Sequence, residues 1–227
     1  MRALIQLVPR PAMEQAFDGA LRAVARELRE RPDAGGLVVN ALLRLENDPF
    51  GARTPYRGTL EIAGETAGAR TLEALAAGLV GRLADVVRAD ASTLLIGEDR
   101  VCTALGRAPV RYQYLMRRNA RFTHDAYLER YREIHSRFGL ATPGTLGYVQ
   151  SHVDPVASRN AADRSGLGVW DVDSVSELHL VSLESFLGVV ARSPLGAEAI
   201  ADEEVFVDRA NSHDFCSVVE WQEPPSG

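Results

Sequence analysis

One alternation of strands and helices occurs twice along this chain of 227 residues, and it restricts the fold more than any other feature. In the first half, RALIQLV reads as a strand. AMEQAFDGALRAVARELRERP reads as a helix whose apolar positions Met13, Phe17, Leu21, Val24 and Leu28 recur at the helical period. Pro32 and the pair Gly35-Gly36 stop it. GLVVNALLRLE and RGTLEIAG follow as strands around the turn-rich NDPFGARTPY, then a second helix in TLEALAAGLVGRLADVV and a fourth strand in ASTLLIGED.

The second half repeats this βαββαβ order. A strand from Arg111 to Arg117 precedes a helix from Asp125 to Phe138 and a strand from Thr145 to Val153. SVSELHLV, the helix LESFLGVVA and the strand HDFCSVVEW complete it. The spacing predicts an α+β fold: two ferredoxin-like units in tandem, residues 1–105 and 110–222, joined between Cys102 and Pro109. Each unit presents a four-stranded antiparallel sheet with one face uncovered. Packing the two sheets face to face, in the manner of a dimeric α/β barrel, covers both and leaves an interior large enough for a small molecule. The same order also permits each half to pair across a two-fold axis in a homodimer. The stretch from Pro155 to Gly168 shows no clear period and reads as a long loop.

Composition excludes several chemistries. All 25 basic residues are arginine, so no lysine is available for a Schiff base. The net charge of −6 arises entirely beyond Ala108, which argues against a nucleic-acid partner. Two cysteines, Cys102 and Cys216, form no CxxC pair, so neither a disulfide nor a zinc site is expected. The apolar run Ala3 to Val8 ends at Pro9, too short for a signal core or a membrane span, so a cytoplasmic protein without a membrane partner is expected.

All five histidines, His124, His135, His152, His179 and His213, follow residue 123. In the helix, Thr123 is the N-cap and Tyr127, Tyr131, Ile134 and Phe138 make the apolar stripe, with His135 on its edge. On the strand 145–153, alternation gives Tyr148, Gln150 and His152 one face. That polar row is expected to point into the interior between the sheets, as is the neighbouring row Tyr112, Tyr114 and Met116. Asp202-Glu203-Glu204 reads as a solvated turn or helix start.

Several motifs in order then resemble one family. Arg117-Arg118-Asn119, Phe122-Thr123, Tyr127, Tyr131, His135, Gly144 and Tyr148 are similar to the EthD family of dimeric α/β barrels. So are Val175, Glu177, Leu178, Leu183 and Phe186, and the closing Phe206 and Asp208. The resemblance spans about residues 110–222. It implies that His135 matches the family's helix histidine and that Tyr131 stands where an aromatic is usual. The sequence departs from the pattern in Ser-Arg-Phe after His135, where a proline is common, and in His179, where an aromatic is common. The wider barrel group includes polyketide cyclases, cofactor-free oxygenases, decarboxylases, dehydratases and haem enzymes.

Together these readings predict a cofactor-free, metal-free enzyme of lyase type that cyclises, dehydrates or decarboxylates an aromatic or polyketide-like molecule. His135 or His152 is the expected general base, and Tyr112, Tyr114, Tyr131, Tyr148, Gln150 and His179 the expected ligand contacts. The alternative is an accessory or oxidoreductase-associated protein that binds a small molecule, or a haem through His152 or His179.

Overall fold

The computed structural model describes residues 1–31, 36–64, 68–103, 108–190 and 192–220. Its eight strands are β1 (Arg2–Leu7), β2 (Val38–Arg44), β3 (Gly58–Ala63), β4 (Thr93–Thr103), β5 (Val110–Met116), β6 (Thr145–Val153), β7 (Ser174–Leu180) and β8 (His213–Glu220). The helices are α1 (Glu14–Glu30), α2 (Ala69–Val80), α3 (His124–Arg130), α4 (Ser136–Ala141), α5 (Pro155–Ser165), α6 (Leu183–Val190) and α7 (Leu195–Phe206). Tyr131–His135, between α3 and α4, is a π turn. Pro32, Gly35, Trp221 and residues 104–107 of the expected joint lie outside the described residues.

The strands close into one antiparallel barrel in the order β1-β3-β2-β8-β5-β7-β6-β4, with β4 returning to β1. The halves therefore meet by edge hydrogen bonding, β2 on β8 and β4 on β6, as well as across the interior. The long strand β4 serves both halves. Thr93–Gly97 pairs with β1, and Gly97 onward with β6. Gly97 makes that change of partner sterically open, since a Cβ there would collide with the His152 carbonyl oxygen.

An eight-stranded barrel is just wide enough for side chains to fill it. One end is apolar, with Leu4, Leu95, Leu115, Val175 and Phe215 packed under Tyr56. The other holds a buried ionic lattice. Glu61 accepts from Arg2 (2.9 Å), Arg111 (2.8 Å) and Asn40 (3.0 Å), while Glu177 accepts from Arg2 and from Gln113 (2.7 Å). Burial pushes both carboxyls up, but Arg2 and Arg111 overcome it and hold them below the usual carboxylate range.

This corrects the expected orientation of the sheet. The inward rows are Arg111-Gln113-Leu115 and Val175-Glu177-His179. The rows Tyr112-Tyr114-Met116 and Tyr148-Gln150-His152 face outward beneath the helices. The interior is filled by side chains instead of forming the ligand cavity.

Outside the barrel, an apolar layer joins α1 to the sheet of the first half. α1 delivers Phe17, Leu21, Val24 and Leu28 onto Ile5, Leu43, Leu60 and Ile62. Residues 155–168, expected as a loop, include α5. Asp154 caps it through the backbone N–H groups of Val156 and Ala157 (both 2.9 Å), Pro155 opens it, and Gly166 ends it in the left-handed region at φ 71°. Its buried face is built from Ala157, Ser158, Ala161 and Ala162, small residues that leave no strong apolar period to read.

Candidate active site

In the second half the space between sheet and helices is not filled. A cavity of about 340 Å³ lies on the outward face of β5, β6, β7 and β8, under the π turn, α4, α6 and α7. Its floor is Tyr112, Tyr114, Tyr148, Ser176, Leu178 and Asp214. The roof includes His135, Phe138 and Glu203, and Phe50 and Arg53 reach in from the connection between β2 and β3. Gly139, Gly196 and Ala199 line the cavity from the helices with little or no side chain. Its size is within the range of small-molecule sites, and its walls are mainly aromatic and aliphatic.

Ionisable groups converge on one side of it. His135 Nδ1 lies 3.0 Å from Oδ2 of Asp202, whose other oxygen is bonded by Arg130. With Nδ1 as the donor, the neutral ring turns Nε2 toward Glu203, 3.9 Å away. Burial lowers the His135 pKa, against the opposing pull of Asp202. Burial likewise drives the Glu203 carboxyl up to about 7, although Arg209 sits 3.2 Å from its second oxygen. Tyr112 donates to Asp214 at 3.2 Å, and burial raises both groups. A neutral imidazole and a carboxyl that titrates near neutrality thus share one dry wall, an arrangement suited to moving protons.

Of the residues singled out from sequence, His135, Tyr112, Tyr114 and Tyr148 line this cavity; His152, His179, Tyr131 and Gln150 do not. Tyr131 is buried among Tyr127, Met116 and Phe206. His152 lies on the outward sheet face with its ring 6.0 Å from that of Tyr131, and burial, aided by Arg132, depresses it to about 4. His179 points into the barrel and is also held at about 4, by burial and then by Arg111. His124 pairs with Asp173 at 2.8 Å, and His213 stacks edge-on against Trp170.

Asp202 and Glu203, expected in a solvated turn or helix start, belong to α7 and face the site. Phe206 was the available signal. It lies three and four residues beyond them and is fully buried, so the same helix face turns inward.

Residues 119–210 match the family of the EthD domain. The likeness to that domain lies in this stretch of the second half. The stretch contains His135, Asp202 and Glu203, whereas Tyr112, Tyr114, Asp214, Phe50 and Arg53 lie beyond its bounds. No curated protein matches the sequence. Solved structures share the fold over nearly the whole chain. One, described as an anthrone oxidase-like protein, is 12% identical with a TM-score of 0.62, covering 97% of this chain and 90% of its own. An arginine-to-alanine variant of chlorite dismutase from Candidatus Nitrospira defluvii is 12% identical with a TM-score of 0.58, covering 97% and 90%. A Lactobacillus acidophilus NCFM protein provisionally assigned as a monooxygenase is 10% identical with a TM-score of 0.54, covering 96% and 92%.

A haem held by histidine needs open space before the ligating nitrogen. His152 and His179 are away from the cavity, and the Nε2 of His135 faces a carboxyl, so the residues present do not fit that group. Among the described residues, no group of three or more histidine, cysteine, aspartate or glutamate side chains is placed to hold a metal ion. No helix among them is long and apolar enough to cross a membrane.

Proposed function

We propose that the EthD-like cavity is the active site of a cofactor-free enzyme that removes a proton from carbon beside a carbonyl of an aromatic or polyketide-like molecule. The supporting observation is the convergence of His135 and Glu203 on one wall of a mainly aromatic and aliphatic cavity. His135 Nε2 takes the proton, Asp202 stabilises the resulting imidazolium, and Glu203 in its neutral form donates to the developing oxyanion. Tyr112 and Tyr114 orient the ring system. The enolate then adds to a second carbonyl of the same molecule to close a ring, or expels a β-hydroxyl that leaves as water with the proton held by His135; from a β-keto acid, loss of carbon dioxide yields the same enolate directly, and each outcome is of lyase type. In this reading the halves 1–105 and 110–222 are tandem ferredoxin-like units, with the second supplying most of the site and the first closing the barrel. Phe50 and Arg53 cross from one to the other.

A second reading keeps the same proton abstraction and changes the fate of the carbanion. The likeness to the anthrone oxidase-like protein favours it. Dioxygen takes two electrons from the carbanion, and the hydroperoxide formed after protonation loses water to leave a ketone.

Deuterium wash-in tests both. In D2O, the protein is expected to accelerate exchange at the acidic carbon of anthrone, followed by NMR under nitrogen. His135→Asn and Glu203→Gln each lower that rate by about 100-fold or more while ligand binding stays intact. Exchange no faster than in buffer, across a panel of aromatic ketones, would defeat the proposal. Oxygen uptake on admitting air selects the second reading.

A further inference from the structure

The helix that carries His135 does not follow the phase written in its sequence. From Tyr127 and Tyr131 a straight α-helix would turn Ile134 inward and leave His135 on the edge of the buried stripe. The reverse is found: Ile134 is 39% exposed and His135 only 7%. The π turn Tyr131–His135 causes this. Within it the Ser136 N–H bonds the Tyr131 carbonyl, five residues back instead of four. Such a turn acts as a one-residue insertion, rotating everything after it by about 100°, one residue's share of a 3.6-residue turn.

What holds the turn lies on the sheet below. Gln150, with no exposed surface, donates through Nε2 to the Tyr131 carbonyl at 3.2 Å and to the Tyr148 hydroxyl at 2.8 Å. Its Oε1 accepts from Arg100 at 3.2 Å, and the same Arg100 nitrogen donates to the Arg132 carbonyl at 3.2 Å. Two successive carbonyls of the π turn are thereby fastened to β6 and β4.

We propose that Gln150 is a positioning residue: its amide stabilises the π turn and so aims His135 into the cavity. The inference rests on reading that cavity as the active site only for its consequence in catalysis. The conformational claim stands apart from it. Without the Gln150 amide, the turn relaxes to regular α-helix, Ile134 rotates inward and His135 moves to the edge of the buried stripe, away from Phe206.

Gln150→Leu and Gln150→Glu test it, by side-chain NMR on the full chain. Glu retains the acceptor for Arg100 and removes the donor to Tyr131, and it serves alone if Leu does not fold. In the native protein the His135 ring lies 5.2 Å, centre to centre, from both Phe138 and Phe206. Both variants are expected to lose the His135–Phe206 cross-relaxation while keeping that between Tyr127 and Phe206, whose rings are 5.3 Å apart. Anthrone exchange then falls by about 100-fold, with binding affinity within about threefold. Retention of the His135–Phe206 signal in either variant overturns the proposal. If the signal is lost and exchange is unaffected, Gln150 still positions the turn, and the assignment of His135 as base is what fails.

Discussion

Arg2, at the start of the chain, donates to Glu177 of the second half inside the closed barrel, and the same Arg2 nitrogen donates to Glu61 of the first. One guanidinium therefore ties the two halves together where neither carboxylate is solvated. Removing one partner of such a lattice leaves a buried charge uncompensated. Arg2→Met is expected to lower stability by roughly 3–5 kcal/mol in urea unfolding at pH 7.

The same lattice sets the acid limb of stability. Arg2 and Arg111 hold Glu61 and Glu177 below their ordinary range against burial. Carboxyls depressed in the folded state contribute stability that is present above the unfolded value, about 4.3, and is lost as pH falls through the folded ones. Arg2→Met has less of this to lose. Its unfolding free energy is expected to decline less than that of the native protein between pH 6 and pH 3; parallel curves would contradict the assignment.

Glu203 acts in the opposite sense. Its carboxyl, raised to about 7 chiefly by burial, contributes stability below the unfolded value that is lost as pH rises through 7. Glu203→Gln removes the group that must ionise. The variant is expected to gain on the native protein progressively above about pH 4.3, reaching up to about 3 kcal/mol near pH 8.5. Thermal melts at pH 5 and pH 8.5 measure the difference, and a gain independent of pH would refute it.

Particular residues explain what was legible beforehand. Alternation on 145–153 correctly grouped Tyr148 with Gln150 and His152, because strand period alone determines which side chains share a face. Which face turns inward is decided across strands. On β5, Arg111 and Gln113 alternate with Tyr112 and Tyr114, and the more charged row is the interior one because Glu61 and Glu177 meet it there. No single strand reveals that compensation. The π turn was equally hidden, since its stabiliser, Gln150, lies 19 residues from the carbonyl it holds. α5 carries no apolar period in its sequence because alanine and serine make its buried face.

Gly139 limits how far the cavity can shrink. A Cβ there would lie 2.5 Å from the ring of Tyr148, and both residues line the cavity. Gly139→Ala must displace either the ring or α4. A loss of about 1–3 kcal/mol in stability is expected, together with weaker binding of aromatic ligands, measured by calorimetry. Undiminished binding would mean that ligands do not reach the Tyr148 side of the cavity.

The carboxylate of Asp202 lies 3.0 Å from His135 Nδ1, placed to accept a ring proton there and to support the charged form, so Asp202→Asn alters both the tautomer and the electrostatics of the ring. Burial already lowers the His135 pKa, Asp202 raises it, and Arg130 and Arg137 lower it further. Losing the carboxylate removes the only one of these that favours protonation, so the ring is expected to titrate at a lower pH than in the native protein. The asparagine amide can present its N–H₂ to Nδ1 and shift the ring proton to Nε2, turning the base away from substrate. Nitrogen-15 NMR of the imidazole reads both quantities. A native ring with the proton on Nδ1 and a variant with it on Nε2, accompanied by a fall in anthrone exchange, is the expected outcome; a native ring already protonated on Nε2 would remove His135 as the base and leave Glu203 to take the proton.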